Sequence, residues 1–308
     1  VTASPSPCGF LVLDKPAGLT SHACVARVRR CYGLKRVGHG GTLDPAVTGV
    51  LPLALGAATR LLPYLPSGKA YRGVIQLGWR TSSDDLSGEL LERRPVPALS
   101  HDDLDACLER FRGSILQQPP QVSAVHVDGE RAYVRARRGE TMELAARPVQ
   151  IDALELLSWE PASQQLELAV RCSAGTYIRS LARDLGNALG CGGTLASLRR
   201  TEALGFSLSG SVSLEALESG APLPALDNPL QPLRHLPSRQ LDAADLAGWR
   251  CGRSLCASAV SSPDRPGFDP SVLDQPVVIL DPQGHLAGMA RTAPGGRLQP
   301  RLVFDAAG

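Results

Sequence analysis

Aromatic residues make up only 4% of this 308-residue chain. That leaves few rings for the broad stacking platform on which sequence-tolerant single-strand binders rely. No CxxC pair occurs among the eight cysteines (8, 24, 31, 107, 172, 191, 251 and 256), and no histidine stands at ligand spacing from them. A structural zinc site and a disulfide framework are therefore not expected, and free thiols in a reducing compartment are. The six histidines (22, 39, 101, 126, 235 and 285) also lack ligand spacing, so no catalytic metal is expected. GxSxG, GxxxxGK[ST] and HExxH are all missing, and the glycines of GHGG do not form a dinucleotide fingerprint. No apolar run is long enough to span a bilayer. The stretch GFLVL has no basic lead-in and is not expected to act as a signal peptide. The expected setting is the cytoplasm, with no membrane association.

What is present fits an ordinary globular protein of one large domain and one small one: 43% hydrophobic and 20% charged residues. Net charge is only +2, but residues 1–100 hold 12 Lys+Arg against 6 Asp+Glu, and all three lysines (Lys15, Lys35, Lys69) lie there. The remaining two thirds are each slightly acidic. A locally basic first third suits a polyanionic partner, although an ordinary solvated surface would have the same composition.

FLVLDKPAG (10–18) predicts a buried strand closed by a turn. A helix follows over TSHACVARVRRCYG, capped by Thr20 or Ser21, with Cys24, Val25, Val28 and Cys31 on one face. VLPLALG and AYRGVIQLGW read as strands, AATRLLPYL as a short helix, and TSSDDLSGE as a loop or hairpin turn. LSHDDLDACLERFRG is a helix capped by Ser100. Residues 117–148 are polar, Pro-bounded and Arg-rich, an exposed excursion with little core of its own. LELAVRC alternates as a half-buried strand and leads into the helix TYIRSLARDLGNALG, whose stripe is Ile178, Leu181, Leu185 and Leu189. Prolines and lost periodicity over 222–237 predict a linker, and the tail predicts a small β domain separate from the first core.

Within GHGGTLDPAVTG (38–49) a lone carboxylate, Asp44, lies between Leu43 and Pro45. An aspartate before proline is commonly a turn-capping residue. An aspartate acting as nucleophile or base needs restricted water, a fixed direction and a counter-charge. Leu43, Pro45 and the apolar stretch beyond could supply the first two, because proline biases the preceding residue towards an extended backbone. Arg179, near the start of a helix placed directly after a core strand, is the leading candidate for the counter-charge, although alone it would pass for a surface arginine. The Asp84–Asp85 pair could be a metal or acid–base couple; in its Ser-rich turn, a solvated or self-capping pair is the simpler reading.

GHGGTLDPAVTGVLPLALGAATR, with LDKPAGLTSH before it and KAYRG, RTSSDDLSG, GTYIRSLARDLG and LRR after it, resembles the TruB family of tRNA pseudouridine synthases over about residues 9–215. The tail (LDAADLAGWRCGRSL and GHLAGMARTAPGGRLQPRLVF) resembles the small PUA-like RNA-binding domain that follows in bacterial members. The resemblance implies conversion of uridine to pseudouridine at position 55 in the T-arm of tRNA, with no metal or organic cofactor. By motif, Asp44 would be the catalytic aspartate and Arg179 its ion-pair partner. Tyr71 would stack on the target uracil and assist proton transfer, His39 would occupy the place of flipped T-loop bases, and Tyr177 and Leu198 would line the uracil pocket. Lys15, Lys35, Arg36, Lys69, Arg135 and Arg137 are candidate RNA contacts, and 117–148 resembles the thumb loop that closes on RNA. Three positions depart from the usual pattern: Val47 for Ala, His126 for Lys and Ser83 for Thr.

The expected fold is α+β, with a mixed, mostly antiparallel sheet and flanking helices over 1–230 and a small β-rich PUA-like domain over 231–308. A monomer acting on the tRNA T-stem-loop without an obligatory protein partner is expected. Two rivals stay open: a non-catalytic RNA-binding or tRNA-folding factor on the same scaffold, and a guide-RNA-dependent relative acting on ribosomal RNA within a complex.

Overall fold

The computed structural model describes residues 7–127, 129–257, 260–261, 268–269 and 271–304. Most of the first two thirds of the chain wraps a ten-stranded sheet. Its main path runs Val212–Ser213, Gly9–Lys15, Thr48–Leu55, Gly193–Ala203, Lys69–Leu77, Gln165–Cys172, Arg147–Glu160 and Gly113–Gln117. Val37–His39 adds to Thr48–Leu55, and Phe206–Ser207 to Gly193–Ala203. Pairing is antiparallel except at two places: Gly9–Lys15 with Val212–Ser213, and Gly193–Ala203 with Thr48–Leu55. The second exception matters for the site, since it sets Arg199 and Arg200 beside Thr48 and Gly49, just beyond the Asp44 loop.

Local sequence explains the helices that flank the sheet. Thr20 accepts the Ala23 amide and caps Ser21–Cys31, whose buried face is Cys24, Val25 and Val28. Ser100 and Asp103 form a reciprocal capping box at the start of His101–Glu109. Ile178–Ala188 has no side-chain cap; the Gln117 side chain instead binds both the amide and the carbonyl of Tyr177, which precedes it (2.8 and 3.1 Å). Leu11, Leu53, Ile75, Leu168, Leu181 and Leu185 join in one buried cluster on this side of the sheet, with Cys24, Cys107, Cys172 and Cys191 among them as free thiols.

Several expectations change in detail. AATRLLPYL belongs to a 3-10 helix, Gly56–Tyr64, with Pro63 inside it. TSSDDLSGE turns a hairpin between Trp79–Thr81 and Leu90–Arg93. The 117–148 excursion has a core of its own, small but closed: Ala132, Met142 and Leu144 bury together beneath a short hairpin (His126–Val127 with Glu130–Arg131) and the helix Ala132–Arg137. The tail forms a five-stranded sheet around Trp249, whose indole donates to Ala287 O at 2.9 Å. Its other face is not independent of the first core. Val278 and Met289 share a cluster with Phe10, Ala54, Leu61 and the fully buried Leu233, so the end of the Pro-rich 222–237 stretch, from Leu230 to Leu236, packs between the sheets rather than hanging as a free tether.

Candidate active site

Asp44 opens a tight turn, with the Val47 amide donating to its carbonyl at 3.1 Å and Pro45 supplying the fixed φ that such a turn favours. Turn residue and half-exposed acid are therefore both correct descriptions of it. The turn is tied down from three directions. Ser21 Oγ accepts from the Leu43 amide (2.9 Å) and donates to the Leu43 carbonyl (3.2 Å). The Gly18 amide donates to Pro45 O at 2.8 Å. Lys15, fully buried, spends its ammonium on Pro16 O (2.8 Å), Pro45 O (3.1 Å) and Val47 O (2.7 Å). The expectation that Lys15 contacts RNA is thus corrected: each of its three protons has a backbone acceptor and none of its surface meets solvent. Burial pulls the Lys15 amine below its usual range, with Asp44 among the charges that pull the other way. With Leu43 and Val47 buried on either side, the backbone is anchored while the carboxylate stays half-open to solvent.

That carboxylate meets Arg179, whose Nη2 lies 3.0 Å from Asp44 Oδ2; the side chains are 8% and 46% exposed respectively. The guanidinium is fixed independently of the acid. Its Nη1 donates to Ser83 O (3.1 Å), its Nη2 also donates to Val122 O (2.9 Å), and its Nε lies 3.7 Å from Asp85 Oδ2. A planar fork held by two carbonyls presents its remaining edge in one orientation, which a lysine could not do. One turn along the same helix, Arg183 pairs with Asp84 (2.9 Å) and donates to Gln118 O (2.9 Å). Asp84 is pushed up by burial, with Arg183 opposing. Asp85 accepts from Ser83 Oγ (2.6 Å) and the Ser87 amide (3.0 Å). Asp85 thus caps its own turn, whereas the Asp84 carboxylate is taken up by Arg183, and the pair faces the helix that carries Arg179. Two arginines four residues apart, hence on one helical face, opposite an Asp–Asp pair were the readable signal for this arrangement.

Tyr71 lies mid-sheet, opposite Val170 on one side and Arg200 on the other, and is buried. Burial pushes its phenol above the ordinary range, and the Arg200 guanidinium draws it back. Two residues further along the same strand face, Gly73 stands opposite Leu198, and a Cβ on Gly73 would come within 3.1 Å of Leu198 Cδ1. The missing side chain lets Leu198 lean over the strand next to Tyr71. Tyr177 is half-buried immediately before the helix that carries Arg179. His39 ends its strand half-buried, with its Nδ1 accepting from the Gly41 amide (3.3 Å) and its ring edge-on to His22, centroids 5.2 Å apart. Burial, followed by the His22 and Arg200 charges, lowers its pKa, so the neutral ring with a proton on Nε2 is favoured.

Of the other candidates, Lys35 and Arg36 are exposed after the first helix, and Lys69 is half-buried. Arg135 pairs with Glu140 (2.7 Å), while Arg137 stacks on Tyr133 at 5.5 Å, both on the excursion's helix. Sequence reasoning passed over Ser21, Gln117 and Arg200, whose importance lies in backbone contacts that no spacing reveals. A hollow of about 510 Å³ lined by Asp14, Pro16, Leu19, Arg27 and Glu218 includes neither Asp44 nor Arg179.

Two family domains match consecutive stretches of the chain, together residues 29–236. The TruB family pseudouridylate synthase N-terminal domain covers residues 29–178, and the tRNA pseudouridylate synthase B C-terminal domain covers 179–236. They meet inside the Ile178–Ala188 helix, so Asp44 and Arg179 fall on opposite sides of the join. A protein named tRNA pseudouridine synthase B from Parasynechococcus marenigrum (strain WH8102) is 60% identical over 98% of this chain and 99% of its own length. Its namesake from Prochlorococcus marinus (strain MIT 9313) is 52% identical, again over 98% and 99%. Among solved structures, a Cbf5–Nop10–Gar1 complex is similar with a TM-score of 0.71 and 26% identity, over 96% of this chain and 84% of that one.

Proposed function

The chain belongs to the TruB family of pseudouridylate synthases, and from that premise we propose that it isomerises uridine to pseudouridine in tRNA, at position 55 of the T-arm. The observation that carries the reading is the 3.0 Å contact between Asp44 and an arginine locked by two backbone carbonyls. It supports Asp44 as the nucleophile: the fixed guanidinium holds the carboxylate in one direction while leaving it open to a substrate.

The isomerisation breaks the N1–C1′ bond and forms C5–C1′. C5 gives up its hydrogen as a proton and N1 acquires one, so atoms balance without a cofactor. Asp44 attacks the nucleotide, Arg179 keeps the acid aimed, and the Tyr71 ring stacks on the detached uracil, with Leu198 and Tyr177 closing the pocket. A uracil stacked in a T-loop is out of reach of any side chain, so the nucleotide must first leave its stack. His39, at the end of the strand that leads to the Asp44 loop, takes the space that base vacates. Exposed Lys35 and Arg36 and the arginines of the excursion supply backbone contacts around a folded RNA.

No helix among the described residues is long and apolar enough to cross a membrane, and a cytoplasmic monomer acting on tRNA is the setting we infer. The test uses purified protein alone and a T-arm hairpin labelled with tritium at uridine C5. Release of one tritium per hairpin, with pseudouridine at the single target position, is expected. Release that depends on added guide RNA and partner proteins would favour the guide-dependent rival, and tight binding without release would favour the non-catalytic one.

A further inference from the structure

Arg200 is fully buried and forms no ion pair with a carboxylate among the described residues. Its Nε donates to Val50 O (2.7 Å) and its Nη2 to Gly41 O (3.2 Å), while its Nη1 has no hydrogen-bond partner among the described residues. Next to it lies a second, half-buried cation. The Lys69 ammonium has neither a carboxylate nor a hydrogen-bond acceptor among the described residues, and both it and Arg200 Nη1 lie within 3.8 Å of the point a Cβ on Gly41 would occupy. Burial pulls both cations below their ordinary pKa ranges; the Arg200 charge adds to the fall at Lys69, while the Tyr71 phenol, hydrogen-bonded to Arg200, opposes the fall at Arg200. A buried cation without a counter-charge costs free energy, and a second, half-buried cation beside it adds to the cost. Two such groups, facing the space left by a glycine three residues before Asp44, have the character of a seat whose counter-charge arrives with a ligand.

We propose that Lys69 and Arg200 form a seat for one backbone phosphate of the substrate RNA, next to the nucleotide that Asp44 attacks. Lys69, half-buried, makes the direct contact; Arg200 supplies a fixed positive charge behind it. Gly41 contributes by having no side chain, at a φ of 124° that other residues rarely adopt. The seat rests on the reading of the chain as an RNA-modifying enzyme and adds which part of the RNA fixes the target nucleotide in place. Phosphate contacts of this kind set register rather than sequence preference.

The experiment combines Lys69→Met with T-arm hairpins in which single phosphates around the target uridine are replaced by neutral methylphosphonates. In the wild type, one replacement should weaken binding on the order of tenfold while its neighbours do less. Lys69→Met should weaken binding of the unmodified hairpin by a similar factor and be indifferent to that same replacement. It should also lower the slope of log Kd against log salt by about 0.7. Losses that multiply between the variant and every replacement, or wild-type binding that no single replacement weakens, would overturn the seat. The wild-type replacement series reads the seat even if the variant folds poorly. Pseudouridine formed on the unmodified hairpin, measured alongside, separates the two claims: formation without coupling sinks the seat alone, and no formation sinks the functional reading.

Discussion

Replacing Lys15 by Met tests whether the Asp44 turn is held by the buried ammonium beneath it. The three carbonyls it serves belong to Pro16, Pro45 and Val47, and two of these residues flank or end the turn. The bond to Val47 O is buried, and losing its donor costs about 1–3 kcal/mol; the other two are part-buried and cost about 0.5–1.5 kcal/mol each, since water can replace the donor in part. Removing a cation that burial penalises returns some of this. The net expectation is a loss of about 2–4 kcal/mol, seen as a fall in Tm of roughly 3–6 °C. Turnover should fall further than stability alone explains, because the backbone on both sides of Asp44 loses its tie. Thermal melting and single-turnover conversion of a T-arm hairpin, both below the variant's Tm, measure the two effects. Lys35→Met, at an exposed position, is the control and should stay within about 0.5 kcal/mol of wild type. A Lys15→Met protein that melts and turns over with the wild type would refute the bracing role.

Arg179→Lys keeps the charge but cannot serve Ser83 O, Val122 O and Asp44 together; single-turnover rates should drop about tenfold or more with helicity retained, and an unchanged rate would count against the fixed-fork argument. Gly73→Ala brings a Cβ to within 3.1 Å of Leu198, so Leu198 must shift; a raised KM with a modest stability cost of about 1 kcal/mol is expected, and kinetics identical to wild type would remove Leu198 from the pocket. His39 has a folded pKa below its unfolded value, so the stability it contributes is full above about pH 6.5 and is lost as pH falls through the folded pKa. His39→Gln should flatten that part of the acid limb in a melting-versus-pH series, and parallel limbs would contradict the assignment.

The features legible in the sequence were those with local causes. Strand alternation in LELAVRC, the Ser100 capping box and the apolar stripe of the Arg179 helix all follow from residues within a few positions of one another. The place of Arg179 at the start of a helix after a core strand made it a candidate, and its pairing with Asp44 was implied by the resemblance to the family's motifs. What stayed hidden depends on where backbone carbonyls end up in space. Lys15 reads as a surface lysine in a basic third of the chain, yet the crossing of its strand beneath the turn seals it in. Arg200 sits in an LRR run that looks solvated, and only the parallel pairing of its strand with Thr48–Leu55 buries it. Likewise the excursion's closed core needs Met142 and Leu144 to fold back on Ala132, a contact that no periodicity announces.

The central claim is that the Asp44 carboxylate performs the chemistry. Asp44→Asn keeps the size and the turn but removes the charge that Arg179 faces. The most direct measurement is tritium release from a C5-labelled T-arm hairpin under single-turnover conditions, with hairpin binding measured in parallel. The account predicts release reduced by at least roughly a thousandfold with binding retained within about tenfold, the pattern of a group needed in the transition state rather than for affinity. Release at the wild-type rate by the Asn variant would contradict it.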